Sequence, residues 1–323
     1  MAEPTLRVGA IDCGTNSIRL LVADIDPATG SLVDLHRRME IVRLGHGVDR
    51  TGVIAPESME RTLRVTREYA VTCRELGAER VRFVATSASR DARNAEEFIS
   101  GVRTAFQEDF GAEVAPEVVS GQEEASLSFS GATGGLAALG VRGPYLVVDL
   151  GGGSTEFVRG TDHVEASRSV DIGCVRLTER HLATDPPTQA EIEAATADID
   201  AAIDLAEQSV PFDGVATLVG LAGSVTTITA HLLRLPAYSA ERVHLTRSTP
   251  EAMIAASSDL LSMTRAERAA LPYLHPGRVD VIGAGGLVWR RIVARVAQRS
   301  GITEIVTSEH DILDGIALSQ LSR

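Results

Sequence analysis

Short apolar blocks that end on a carboxylate and then on glycines mark this chain. In Leu146-Val-Val-Asp149-Leu-Gly151-Gly-Gly153-Ser-Thr-Glu156 an apolar run reads as a buried strand, and the glycines allow positive φ and close backbone approach. Thr155 to Val158 has no helical period and resumes as a second strand, so the block is a hairpin. A dinucleotide-binding fingerprint would need a helix after the glycines. Near the N-terminus, Val8-Gly-Ala-Ile-Asp12-Cys-Gly14-Thr-Asn16-Ser17-Ile-Arg-Leu-Leu has the same grammar. One constant shift lays Asp12 on Asp149, Gly14 on Gly151 and Ser17 on Ser154. Two such units, one per half, predict a duplicated domain whose paired loops face one cleft.

The remaining pattern fills in around the hairpins. Strands are expected over 6–12, 17–25 and 31–43, followed by the glycine loop Leu44 to Val48. Apolar Met59, Leu63, Tyr69, Ala70 and Cys73 recur at helical spacing up to Gly77. A strand over 80–86, a helix over 94–110 and a strand over 113–119 complete an order that makes a mixed sheet with helices packed on it. Gly131 through Pro144 reads as a hinge. Beyond it the pattern predicts strands at 145–150, 154–160 and 163–172, a helix from about 190 to 208 capped by Thr188 and Glu191, and a strand at 215–221. That strand runs into Gly223-Ser224, a helix start with N–H groups for an anion. Residues 237–275 read as mostly helical. The segment 279–286 fits either a glycine-interrupted helix or a strand and turn. A strand at 304–307 and a helix at 309–321 end the chain.

Composition narrows the chemistry. A length of 323 residues and 44% apolar content fit about two globular domains. No apolar run reaches the length of a membrane span, and Met1 to Pro4 leads straight into a strand, so neither a membrane partner nor a secretory signal is expected. Three scattered cysteines, Cys13, Cys73 and Cys174, fit a reducing cytoplasm, with Cys13 as a small packed residue. A net charge of −13 argues against nucleic acid. The eight histidines make no zinc spacing, and neither a Gly-x-Ser-x-Gly elbow nor a Walker lysine is present. Carboxylates, a hard cation and glycine loops remain. A glycine hairpin with a carboxylate at its mouth suits a phosphate held by backbone N–H groups with such a cation beside it. Ser120 and Glu123 fit a capping box, which leaves Glu124 without a capping role at a helix N-terminus that favours its ionised form.

Taken together, Asp12 to Ser17 and Asp149 to Glu156 resemble the two phosphate loops of the exopolyphosphatase/guanosine pentaphosphate phosphohydrolase family, within the actin, sugar-kinase and heat-shock-chaperone ATPase superfamily. Arg90-Asp-Ala-Arg93, Ser120-Gly-Gln-Glu-Glu124-Ala, Gly220-Leu-Ala-Gly223-Ser and Ser308-Glu-His-Asp-Ile-Leu-Asp-Gly315 follow in family order. The resemblance implies an α/β fold of two similar domains of the ribonuclease H-like type, each a mixed five-stranded sheet with flanking helices and a cleft between them. Domain I would span 1–130 plus about 309–323, and domain II 131–308. It implies a cytoplasmic phosphoanhydride hydrolase acting on inorganic polyphosphate or guanosine pentaphosphate, able to bind guanosine tetraphosphate, and dimeric. Glu124 would be the base. Asp149 and Glu156, with Asp12 facing them, would hold Mg²⁺ (or Mn²⁺). Phosphate contacts would come from Asp12, Gly14, Thr15, Asn16, Ser17, Arg93, Gly151, Gly152, Gly153, Ser154, Thr155, Gly223, Ser224 and Arg278. Longer family members carry a C-terminal helical extension, and this chain ends at Arg323, which carries the expectation of short polyphosphate chains as substrates. A superfamily kinase or ATPase and a non-catalytic alarmone sensor are the alternatives.

Overall fold

The structure is a computed structural model that describes residues 5–322. It forms two compact units, Met1–Gly131 with Ile312–Arg323, and Ala132–Asp311.

In the first unit, the N-terminal apolar block becomes β1 (Leu6–Cys13), which pairs antiparallel with β2 (Ser17–Ile25), which in turn pairs with β3 (Leu32–Ile41). The short α1 (Val48–Thr51) and the long α2 (Pro56–Glu75) follow. β4 (Arg80–Ala85) returns parallel to β1, and after α3 (Ser87–Asp91) and α4 (Ala95–Asp109), β5 (Glu117–Val118) adds in parallel. The sheet order is β3-β2-β1-β4-β5. Burial follows position: β1 is buried along its last six residues, whereas the edge strand β3 is partly exposed throughout. α2 and α4 cover one face of the sheet, around Tyr69, Phe83, Phe98 and Phe106. The expected strand over 113–119 shrinks to two residues, because only Glu117 and Val118 find a ladder partner.

α5 (Gly121–Thr133) leads into the second unit, where the pattern repeats. β6 (Tyr145–Leu150), β7 (Thr155–Gly160) and β8 (Val164–Val170) form an antiparallel meander. Then come α6 (Cys174–His181), α7 (Gln189–Glu207), and β9 (Thr217–Leu221) parallel to β6. α8 (Ala222–Leu232), α9 (Ala240–Val243), β10 (Thr246–Ser248), α10 (Pro250–Ser262), α11 (Arg265–Ala269), α12 (Ile282–Ser300) and β11 (Ile305–Thr307) complete the unit. Thr188 and Glu191 make the full capping box of α7. The chain then returns to the first unit as α13 (Ile312–Leu318), which packs on β1 and β2, and ends in a 3₁₀ turn.

The second sheet has six strands, β10-β11-β9-β6-β7-β8, and not the expected five. The extra strand β10 lies inside a segment that reads as helical. Three residues are too few to show a period, and only their antiparallel pairing with β11 makes them a strand. The ambiguous segment 279–286 enters α12. Its glycines serve close packing: a Cβ on Gly285 would lie 2.7 Å from Ser224 Oγ. α6, absent from the expected elements, has eight residues and begins after a short turn that follows β8.

Candidate active site

Both glycine hairpins close in the same way. The N–H of Gly14 donates to the Ser17 carbonyl at 2.9 Å, and that of Gly151 to the Ser154 carbonyl at 3.1 Å. The carbonyls between these points are tied to the chain that leaves the third strand. In the first hairpin, Thr15 O accepts from Gly45 N at 2.9 Å, and Asn16 O from Val42 N and Arg43 N at 3.0 and 2.9 Å. In the second, Gly151 O accepts from Cys174 N at 3.1 Å, and Gly152 O from Val175 N and Arg176 N at 2.9 and 3.1 Å. A trans peptide points its N–H opposite its carbonyl, so each tied carbonyl aims the next amide away from the protein anchor. The N–H groups of Thr15, Asn16, Gly152 and Gly153 have no acceptor among the described residues. Two small anion nests result, one per unit.

Gly173 packs against the second loop, a contact that motif reading misses. A Cβ built there would lie 2.4 Å from both the carbon and the oxygen of the Gly152 carbonyl and 2.6 Å from Gly153 N. Its φ of −145° is ordinary extended backbone, so nothing but closeness demands glycine. Gly173→Ala is therefore expected to push the second loop out of place. Orthophosphate binding should weaken at least ~10-fold, the loss equivalent to one charge-assisted hydrogen bond. Circular dichroism should stay native. Titration calorimetry with orthophosphate checks it, and unchanged affinity would contradict the role assigned to this contact.

The two hairpins differ in their acids. Asp12 stands opposite Arg19 in the β1–β2 ladder, and Arg19 donates to its Oδ2 through Nε at 2.9 Å and Nη2 at 2.6 Å. The shift that lays Asp12 on Asp149 also lays Arg19 on Glu156. The acid–base pair of the first hairpin thus becomes an acid–acid pair, Asp149 opposite Glu156, in the second. Both carboxylates are buried, 6% and 1% exposed, and Ser169 Oγ donates to Glu156 Oε1 at 2.8 Å. Like charges placed directly across a ladder destabilise it, and buried charge needs compensation. A divalent cation would take the part that Arg19 plays in the first unit. Among the described residues no group of three or more His, Cys, Asp or Glu could hold a metal. Two carboxylates fit Mg²⁺, which commonly keeps waters and takes its other ligands from substrate phosphates. Asp12, expected as a third ligand, has its partner within its own hairpin.

The other expected phosphate contacts fall into place unevenly. Ser17 opens β2 and closes the first turn through its carbonyl. Ser154 is buried beside the second loop, whereas Thr155 is fully buried and gives its hydroxyl to the Ile172 carbonyl. β9 turns into α8 without a loop, through Ala222 in the left-handed region at φ 67°. The Arg278 guanidinium lies on Gly223, where a Cβ would come within 2.4 Å of it, and donates to Thr227 Oγ1 at 3.2 Å. Ser224 and Cys174 both flank Gly285, and Cys174 heads α6 beside the second loop. All three cysteines are free and buried. Burial pushes each thiol upward, Cys73 to about 12, and for Cys174 it outweighs the opposing influence of Ser224 and Arg278.

Glu124 sits in the first turn of α5, 7% exposed, and its Oε2 accepts from Arg90 Nη1 at 2.9 Å. Arg90 also donates to the Val119 carbonyl at 2.8 Å, which fixes the guanidinium and hence the carboxylate. Glu123 is held elsewhere. Its backbone N–H donates to Ser120 Oγ at 3.2 Å, which is half of a capping box. Its carboxylate goes to the buried Arg82 at 2.6 Å and does not complete the box. Arg93 is exposed, donates to the Thr51 carbonyl and lies over Gly52 at the end of α1. The structure places it there, with no hydrogen bond to the Asp12–Ser17 loop.

Two units that share one order of five strands, each with a glycine hairpin at the end of its central strands, define a duplicated α/β protein. The chain belongs to the Ppx/GppA phosphatase family, whose sequence profile matches residues 21–320. It is 49% identical over 315 residues to exopolyphosphatase 2 of Mycobacterium tuberculosis, covering 97% of this chain and 98% of the relative. Among solved structures, an exopolyphosphatase-like protein superimposes with a TM-score of 0.92 at 44% identity, covering 98% of both chains. The Ppx/GppA enzyme of Aquifex aeolicus does so with a TM-score of 0.78 at 30% identity, covering 98% of this chain and 100% of that one. No helix among the described residues is long and apolar enough to cross a membrane.

Proposed function

We propose that this protein is a metal-dependent exopolyphosphatase that removes the terminal phosphate of inorganic polyphosphate, with guanosine pentaphosphate as a second substrate. The observation that carries the reading is the second hairpin, where outward N–H groups stand next to two facing buried carboxylates. The name of the 49%-identical relative supports the choice of substrate.

Asp149 and Glu156 would hold Mg²⁺ or Mn²⁺, which when bound supplies positive charge near the departing phosphate. The N–H groups of Gly152 and Gly153 bind and orient the terminal phosphoryl oxygens. The N–H groups of Thr15 and Asn16 offer a nest of the same kind within the first unit. Arg278, with the N-terminus of α8 at Gly223 and Ser224, adds fixed positive charge. Glu124, held by Arg90, orients the attacking water and takes its proton. Phosphate release from polyphosphate and from guanosine pentaphosphate, followed with Mg²⁺, with Mn²⁺ and with chelator, tests this. Turnover that survives thorough chelation, or none on either substrate, would sink the proposal.

Chain length follows from how few donors there are. The glycine loops reach only a few phosphates, and the rest of a long chain meets a protein of net charge −13. Short polyphosphates are therefore expected to be hydrolysed with kcat/KM equal to or above that of long ones, and shortened chains to be released. On a gel, a ladder drifting downward together is the expected time course. Full-length chains coexisting only with orthophosphate would mean processive digestion and contradict it.

A further inference from the structure

In the second loop, backbone amides alone do not tie down every carbonyl. In the first hairpin the Asn16 carbonyl is held by two backbone N–H groups, from Val42 and Arg43. Its counterpart under the repeat is Gly153, and that carbonyl is held by a side chain: Arg176 Nε donates to it at 2.7 Å. The backbone N–H of the same arginine donates to Gly152 O at 3.1 Å. One residue thus grips two successive carbonyls of the loop. Because the peptides are trans, those grips aim the N–H groups of Gly153 and Ser154 away from α6.

Arg176 lies in the first turn of α6 and is 9% exposed. A cation there faces the positive end of the helix dipole, where acids are favoured, and it is desolvated as well. The guanidinium, the helix end and the loop amides would all favour an anion resting on the loop.

We infer that Arg176 is the positioning residue of the second phosphate loop, orienting its amides through the Gly152 and Gly153 carbonyls. Its role rests on the proposed phosphate chemistry of this loop, but it is tested by binding alone. Arg176→Met keeps most of the side-chain volume and removes the donor. Arg176→Lys keeps the charge but cannot present a planar Nε–H on the same path. Orthophosphate affinity, measured by titration calorimetry in Mg²⁺ buffer, is expected to fall ~10-fold in both variants, the worth of one charge-assisted hydrogen bond. The KM for short polyphosphate should rise by a similar factor while kcat changes less than ~3-fold, the pattern of lost ground-state binding. A folded Arg176→Met with wild-type phosphate affinity and KM would overturn the inference. Full recovery in Arg176→Lys would overturn it too, since charge alone would then suffice, and so would a wild-type protein that binds no orthophosphate. Should Arg176→Met fail to fold, the lysine variant carries the test. A wild-type protein that binds orthophosphate but does not turn over polyphosphate would sink the substrate assignment and leave the positioning role standing.

Discussion

Asp149→Asn is expected to abolish metal-dependent turnover and leave the fold intact. Asp149 ends β6 directly opposite Glu156, with both side chains buried. Replacing one acid by an amide relieves like-charge repulsion across the ladder, so the metal-free protein should melt no lower than wild type. The loss appears when metal is added. Wild type should gain thermal stability with Mg²⁺, as any ligand of the native state stabilises it, whereas the variant should gain little. Turnover should drop more than ~100-fold, since even residues that merely orient metal ligands are worth about 10–100-fold. A thermal-shift titration with Mg²⁺, run beside the phosphate-release assay, reads both effects. Undiminished activity in the variant at low Mg²⁺ would place the metal elsewhere.

The second large effect belongs to Glu124→Gln, for which kcat should fall by roughly 10²- to 10⁴-fold, the usual worth of a positioned acid or base. The amide can still accept a hydrogen bond from Arg90, so geometry is kept while the proton acceptor is lost. KM should change little, because the residue acts on water and not on the bound phosphate. Glu123→Gln is the control. Its carboxylate neutralises Arg82, a cation only 4% exposed that also has Glu117 at 2.8 Å. Because that second acid remains, the control should keep most activity and lose about 1 kcal/mol of stability. Steady-state kinetics on both variants decides it. A reversal, with Glu123→Gln inactive and Glu124→Gln active, would move the base by one position.

Some of the site was legible because its chemistry is local. A strand that ends in Asp, followed by glycines and a second strand, is specified within a dozen residues, and the same block recurs in the second half. The turn closures Gly14–Ser17 and Gly151–Ser154 confirm that reading bond for bond. Partners were harder to read. Ser120 and Glu123 look like a capping box, yet Arg82, far away in sequence, takes the carboxylate. Arg93 sits in a motif beside the first loop but binds the Thr51 carbonyl. A long flexible cation reaches whichever acceptor the fold brings near, and spacing along the chain does not say which.

The sequence alone determined the duplicated hairpins, the succession of strands and helices in the first unit and the carboxylates at the hairpin mouths, because glycine hairpins and apolar blocks are set by neighbouring residues. The tertiary structure decided what stands opposite those carboxylates in the ladder: an arginine for Asp12, and a second acid for Asp149. It also decided that Gly173 must lack a side chain and that Arg176 holds the Gly153 carbonyl. The sixth strand, β10, exists only through its partner β11. The physical reason is common to all of these. Each depends on contact between segments that the chain order separates, and hydrophobic periodicity records which face a residue presents but not what it meets there.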